Sequence, residues 1–299
     1  MTAQTAVDEA AGNAFKALQA KARAEHGGNT QGLLVVYAVE SFLRRLAQSN
    51  FADRMVLKGG MLMAANNIRR MTKDADLSTH GVANDQETIR DAVARICALA
   101  PAPPDGVMFD PASIRTEVMR EGDDYQGVRC KLVARLGNAQ IPFALDFSFG
   151  DPDQSTVLQL ESIIDRPSVQ LQAYPLALNL AEKIVTAMQR RETSTRDRDF
   201  AHLWVASRRH HLDAPELRGH IHAVAEHRRQ TVIPMVEALA TMPDRQQPYA
   251  AMVQRMAYLS PPPEHWTELI VAVIELVDPL LADDNGLLSY WDQHKLIWT

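Results

Sequence analysis

Two aspartates one residue apart, Asp74 and Asp76, follow a glycine pair, Gly59-Gly60, in the block LKGGMLMAANNIRRMTKDADLS. Glycines let a backbone approach a ligand closely, and free N–H groups at a following helix start attract phosphate. The alternation of acid and apolar residues over 74–77 predicts a strand, which places both carboxylates on one face. Paired carboxylates suit a hard, oxygen-seeking divalent cation that also bridges nucleotide phosphates. Such an ion neutralises charge developing on a transferred phosphoryl group and activates an attacking hydroxyl. Asp146, inside the apolar run IPFALDFSF, is the candidate third carboxylate, because an acid in such a run needs a metal or a charged partner. Asp-x-Asp or Gly-Gly alone is common on strands and turns; the order strand, glycine pair, helix, acidic strand makes the combination informative.

The elements that must position these groups are legible in outline. Residues 4–26 and 31–48 read as helices, 55–58 as a short strand, 61–70 and 84–100 as helices. Three β-prone stretches at 113–120, 127–136 and 141–149, separated by turn clusters, predict an antiparallel meander. From Tyr174 onward the pattern is helical over 175–191, 197–211, 215–240, 245–259 and 264–283, punctuated by prolines. The expected fold class is therefore α+β: a mixed sheet flanked by helices, followed by a C-terminal helical bundle. The expected division is a domain over 1–165 and a helical domain over 166–299.

Composition narrows the function classes. The 299 residues carry 46% hydrophobic and 23% charged side chains, which is globular rather than disordered. A net charge of −6 excludes a polycation that coats nucleic acid indiscriminately. Yet Lys183 to Arg229 holds ten Lys/Arg against six acids, with six histidines, a local basicity that fits a phosphate-rich ligand. Those histidines lack zinc-ligand spacing and read as a solvated or RNA-facing surface. The tryptophans read as anchors of helical packing. Two distant cysteines, Cys97 and Cys130, suit a reducing compartment. Neither a signal peptide nor a membrane-length apolar run is apparent, so a cytoplasmic protein is expected.

Gly59-Gly60 followed by Asp74-x-Asp76 resembles the signature of the polymerase-β-like nucleotidyltransferases. Lys58-Gly59-Gly60 and Arg70-x-Thr72-x-Asp74-x-Asp76 more narrowly resemble the AbiEii toxin branch and its mycobacterial relatives. LNLAEKIVTAMQR, with Lys183, and TRDRDFAHLW, with Arg196 and Asp199, are similar to two further family segments. Arg198 replaces a usual lysine and His202 a common second aspartate.

The resemblance implies that Asp74 and Asp76 coordinate magnesium, with manganese as the alternative. It implies that Lys58, Gly59, Gly60, Arg70, Lys183 and Arg196 bind a nucleoside triphosphate. Asp199 would act as a base or position Lys183, and the helical domain would contribute both to the site. The implied activity is nucleotide transfer to an RNA acceptor, above all the tRNA 3′ end, opposed by a cognate antitoxin. A small-molecule or protein acceptor, and a nucleotide-binding module without turnover, are the alternatives. Ser78, two residues beyond Asp76, is a further position from which a side chain can meet nucleotide or take a phosphoryl group.

Overall fold

Apolar side chains alternate with polar ones from Gly127 through Phe149, and this period-two pattern builds the middle of a seven-stranded sheet in the computed structural model. The structure describes residues 3–68, 74–119, 127–151, 154–255, 261–282 and 286–299. Two compact units emerge, one comprising Met1–Ala65 and Met71–Tyr174, the other Asn66–Arg70 and Pro175–Thr299.

The first unit opens with α1 (Ala3–Glu25) and α2 (Thr30–Ala47), followed by β1 (Met55–Lys58), α3 (Gly59–Ala65), β2 (Asp74–Thr79) and α4 (Gln86–Cys97). The meander follows as β3 (Val107–Met119), β4 (Gly127–Leu136) and β5 (Ala139–Phe149), then β6 (Thr156–Leu160) and β7 (Val169–Ala173). The spatial order is β3-β4-β5-β2-β1-β7-β6. β2 runs parallel to β5 and β1 parallel to β7, while β1–β2 and the remaining neighbours are antiparallel. Leu57, Leu77, Leu145 and Phe147 are fully buried and alternate with the polar positions that concern the site.

α2 packs against β5 and β7, and α4 packs against β3. Unusually for a helix, α2 buries charged groups along with apolar ones. Its Arg45 makes a two-pronged ion pair with Asp105 at 2.6 and 3.1 Å, and Glu40 accepts from Arg44 at 2.8 Å. Glu40 also accepts from the Ser162 hydroxyl and the Ile163 N–H, so a buried carboxylate anchors the segment between β6 and β7. Gly106 adopts φ +77°, and a Cβ there would collide with the Ala11 backbone at 2.3 Å, so glycine permits the close approach of α1.

The second unit contains α5 (Leu176–Arg190), α6 (Asp197–Arg209), β8 (Leu212–Asp213), α7 (Ala214–His227), α8 (Met235–Ala238), α9 (Gln246–Arg255) and α10 (Trp266–Leu281), closing with β9 (Tyr290–Asp292) and β10 (Ile297–Trp298). α7 starts where the Asp213 carboxylate accepts the Glu216 N–H at 2.7 Å, with Pro215 in the first turn. Asp278 accepts the first two N–H groups of α8.

Several expectations need correction. The boundary expected at 165 falls at Tyr174–Pro175, because β6 and β7 complete the first unit's sheet. A single helix over 215–240 becomes α7 and α8, since Arg229 adopts φ +51° and Pro234 follows. The helix expected over 61–70 begins on the glycines themselves and ends at Ala65. The second unit is not all-helical, because β8, β9 and β10 form a small antiparallel sheet. Trp291 and Trp298 belong to that sheet, meeting edge to face at 5.3 Å, with the Trp291 indole N–H donating to the Ser207 carbonyl.

Candidate active site

In the first unit, strand register assembles the chemistry. Lys58 on β1 pairs with Asp76 on β2, Asp76 with Asp146 on β5, and Asp146 with Arg129 on β4. Four charged residues thus form one row across four strands, and Asp74 lies two positions along from Asp76 on the same strand face.

Asp76 is the most tightly specified member. Its Oδ2 accepts the Gly60 N–H at 3.1 Å. Gly59 has φ +63°, and a Cβ added there would lie 1.9 Å from that oxygen. The glycine pair therefore seats and orients a carboxylate: Gly59 leaves it room and Gly60 holds it. The Gly60 amide expected to meet phosphate is committed to Asp76. Desolvation pushes the Asp76 pKa above its ordinary value, and the neighbouring Asp74 charge pushes it further, against the Gly60 hydrogen bond. Asp146 adds to the repulsion and Lys58 relieves it. Crowded carboxylates that repel one another are the donor set a divalent cation relieves, so the residues present fit such an ion.

Asp146 is gripped by Arg129, whose Nε and Nη2 donate to its two oxygens at 2.7 and 2.6 Å. Among the described residues, no three His, Cys, Asp or Glu side chains are gathered as a metal-binding group. The candidate site carboxylates are Asp74 and Asp76, with Asp146 beside them in register and paired with Arg129. Lys58 donates to Asp151 at 2.7 Å and sits 5.4 Å from the Tyr174 ring centre; Ser148 also donates to Asp151. Ser78 is fully buried, its hydroxyl 3.2 Å from His80 Nε2. Arg70 lies outside the described residues.

In the second unit, α5 and α6 bring together the other expected residues. Lys183 donates to Asp199 at 3.1 Å, and Arg196 reaches the second oxygen at 3.4 Å. Burial, the largest single influence, would raise the Asp199 pKa, but Lys183, His202 and Arg196 together outweigh it and hold it at about 2. Next to Lys183 in sequence, Glu182 takes a different partner, Arg228, which also donates to Thr186 at 2.8 Å. His202 is 2% exposed, and the half-buried His210 donates through Nε2 to the Asn66 carbonyl at 2.8 Å, so neither is the solvated surface histidine expected.

The sequence left Arg129, Asp151 and Arg228 unmarked. Arg129 and Asp151 gain meaning only from strand pairing, and Arg228 only from the packing of α7 on α5.

With this geometry in view, a family model described as nucleotidyl transferase AbiEii toxin, type IV toxin–antitoxin system, matches residues 41–271. The chain belongs to the AbiEii nucleotidyltransferase toxin family. Its fold also matches that of MenT4, a nucleotidyltransferase toxin from Mycobacterium tuberculosis, at 16% identity. That match covers 96% of this chain and 92% of MenT4, with a TM-score of 0.54. Two Helicobacter pylori structures are more distant. One, provisionally assigned as a nucleotidyltransferase, shares 15% identity over 82% of this chain and 92% of its own, with a TM-score of 0.46. The other, JHP933, shares 14% over 66% and 75%, with a TM-score of 0.42. No curated protein matches significantly. The AbiEii match spans the glycine pair, the Asp-x-Asp strand and the Lys183 and Asp199 helices, so every described residue expected at the site lies within it.

Proposed function

We propose that this AbiEii toxin transfers a nucleoside monophosphate from a nucleoside triphosphate to the 3′ end of an RNA, with tRNA as the acceptor. The observation that carries this reading is the seating of Asp76 against Gly59 and Gly60, beside Asp74 on one strand face. In the proposed reaction the acceptor 3′ hydroxyl oxygen attacks the α-phosphorus and gives its proton to solvent, a new P–O bond forms, and the bond to the β-phosphate breaks to release pyrophosphate. Asp74 and Asp76 would hold magnesium or manganese, which when bound supplies positive charge to the triphosphate and lowers the pKa of the attacking hydroxyl. Asp146 joins that set only if Arg129 releases it.

Lys183 serves the same reaction as a phosphate-binding ammonium. A carboxylate held near pKa 2 is a weak base, which supports Asp199 as the group that orients the Lys183 amine rather than as the proton acceptor. Lys58 and Arg196 add cations for the phosphates. Type IV family membership supports a cognate antitoxin as partner. No described helix is long and apolar enough to cross a membrane, in keeping with a cytoplasmic site of action.

Incubating the protein with α-labelled nucleoside triphosphates, Mg²⁺ and total tRNA tests the reading. Label on tRNA supports it. Label on a protein or small molecule moves the acceptor to another class, and nucleotide binding without product removes turnover altogether.

A further inference from the structure

The start of α6 and the length of α9 flank an open cleft of about 480 Å³ within the second unit. Four guanidiniums line it, those of Arg196, Arg198, Arg245 and Arg255, together with the carboxylates of Asp197 and Asp199. Both carboxylates are already matched. Arg245 grips Asp197 through Nε and Nη2 at 2.7 and 2.8 Å, and Lys183 with Arg196 holds Asp199. Arg198 is exposed and has no acidic partner among the described residues; Arg255, also exposed, donates its Nε to the Ala251 carbonyl. Positive charge is therefore left over in a concave setting. Pro248 and Met252, four residues apart on α9, give the same cleft an apolar wall.

We infer that this cleft is a nucleotide subsite for the polynucleotide acceptor, with Arg198 and Arg255 holding a backbone phosphate. Pro248 and Met252 pack against the attached sugar or base. Guanidinium forks match phosphate oxygens in a way that carboxylate-paired lysines do not. An apolar wall beside them suits a nucleotide better than an inorganic anion, and the volume lies within the range of small-ligand sites. The inference rests on the acceptor reading above; it gives Arg198, which stands at a usual lysine of a family segment, a ligand, and it adds Pro248, Met252 and Arg255, which no motif marks.

The test is binding of labelled total tRNA to the protein without nucleoside triphosphate, so that no turnover intervenes, measured across a salt series. An Arg198→Gln/Arg255→Gln variant should weaken tRNA binding by about tenfold or more. The slope of log affinity against log salt should fall by roughly 0.7–0.9 for each lost phosphate contact. Triphosphate affinity, measured separately, should stay at the wild-type value. An Arg198→Lys/Arg255→Lys variant should keep most of the salt slope while losing affinity, because charge remains and the fork is gone. Unchanged tRNA affinity and slope in the glutamine variant overturns the subsite, as does a loss of triphosphate affinity with tRNA binding intact. A wild-type protein that binds tRNA through these arginines but transfers no label keeps the subsite and sinks the proposed reaction. Transfer to tRNA with wild-type KM in the glutamine variant does the reverse.

Discussion

Gly59 and Asp76 occupy one another's space, and this sets what each can become. In Gly59→Ala, a methyl group would have to displace the Asp76 carboxylate while the residue holds a left-handed φ of +63°. Turnover should fall on the order of 10²-fold or more with secondary structure retained, as checked by circular dichroism beside the transfer assay. Asp76 itself is held at a cost to the fold, because desolvation and the Asp74 charge raise its pKa. A carboxyl whose folded pKa is raised destabilises the protein above its unfolded pKa, because the unfolded chain gives up that proton more readily. Asp76→Asn should therefore abolish transfer and raise Tm, each kcal/mol of relieved repulsion giving about 2–4 °C. A fall in Tm would mean that the charge is compensated by contacts other than those described.

At the scale of elements, α6 is pinned at its start by two ion pairs with different consequences. Asp197 is 4% exposed, and Arg245 supplies its neutralising fork. Arg245→Ala leaves a buried charge unpaired and should cost about 3 kcal/mol, read by chemical denaturation. Asp199 has its pKa depressed to about 2, so its contribution is present above the unfolded value near 4 and is lost as pH falls through 2. At neutral pH that contribution is roughly 2 kcal/mol. A comparison of wild type with Asp199→Asn across pH 2–7 should show the stability gap closing in the window between about 4 and 2.

The same elements show what a sequence exposes. The alternation in 127–149 and the acid–apolar pattern at 74–77 are local, and β4, β5 and β2 follow them closely. Pairing between strands is not local. β2 lies parallel to β5 although α4, β3 and β4 intervene, so no window of sequence brings Asp76 beside Asp146 or Asp146 beside Arg129. β7, reading VQLQA, does alternate apolar and polar residues, but it is only five residues long, and its place between β6 and β1 follows from pairing rather than from its own sequence. The small sheet of β8, β9 and β10 is made of two- and three-residue strands, too short for a periodic signal, and β8 lies far from β9 in the chain. For the candidate site, Gly59, Gly60, Asp74 and Asp76 stand out as types at a spacing, while Lys58, Lys183, Arg196 and Asp199 are marked by the family resemblance. Their partners Asp151, Arg129 and Arg228 are marked by neither, because ion pairs between distant elements leave no periodicity.

For the whole molecule, a net charge of −6 coexists with arginine-rich surfaces in the second unit. Such a distribution disfavours indiscriminate nucleic-acid binding and confines attraction to one region. Transfer to RNA should accordingly slow as ionic strength rises, through the KM for RNA rather than through kcat. A salt-independent KM would place the acceptor outside the polynucleotides.

The most direct measurement compares wild type, Asp74→Asn and Asp76→Asn for transfer of α-labelled nucleotide onto the tRNA 3′ end, with folding verified for each. If Asp74 and Asp76 together hold the metal, labelled tRNA comes from the wild type alone, with both folded variants inactive. Transfer by folded Asp76→Asn at the wild-type rate would contradict it.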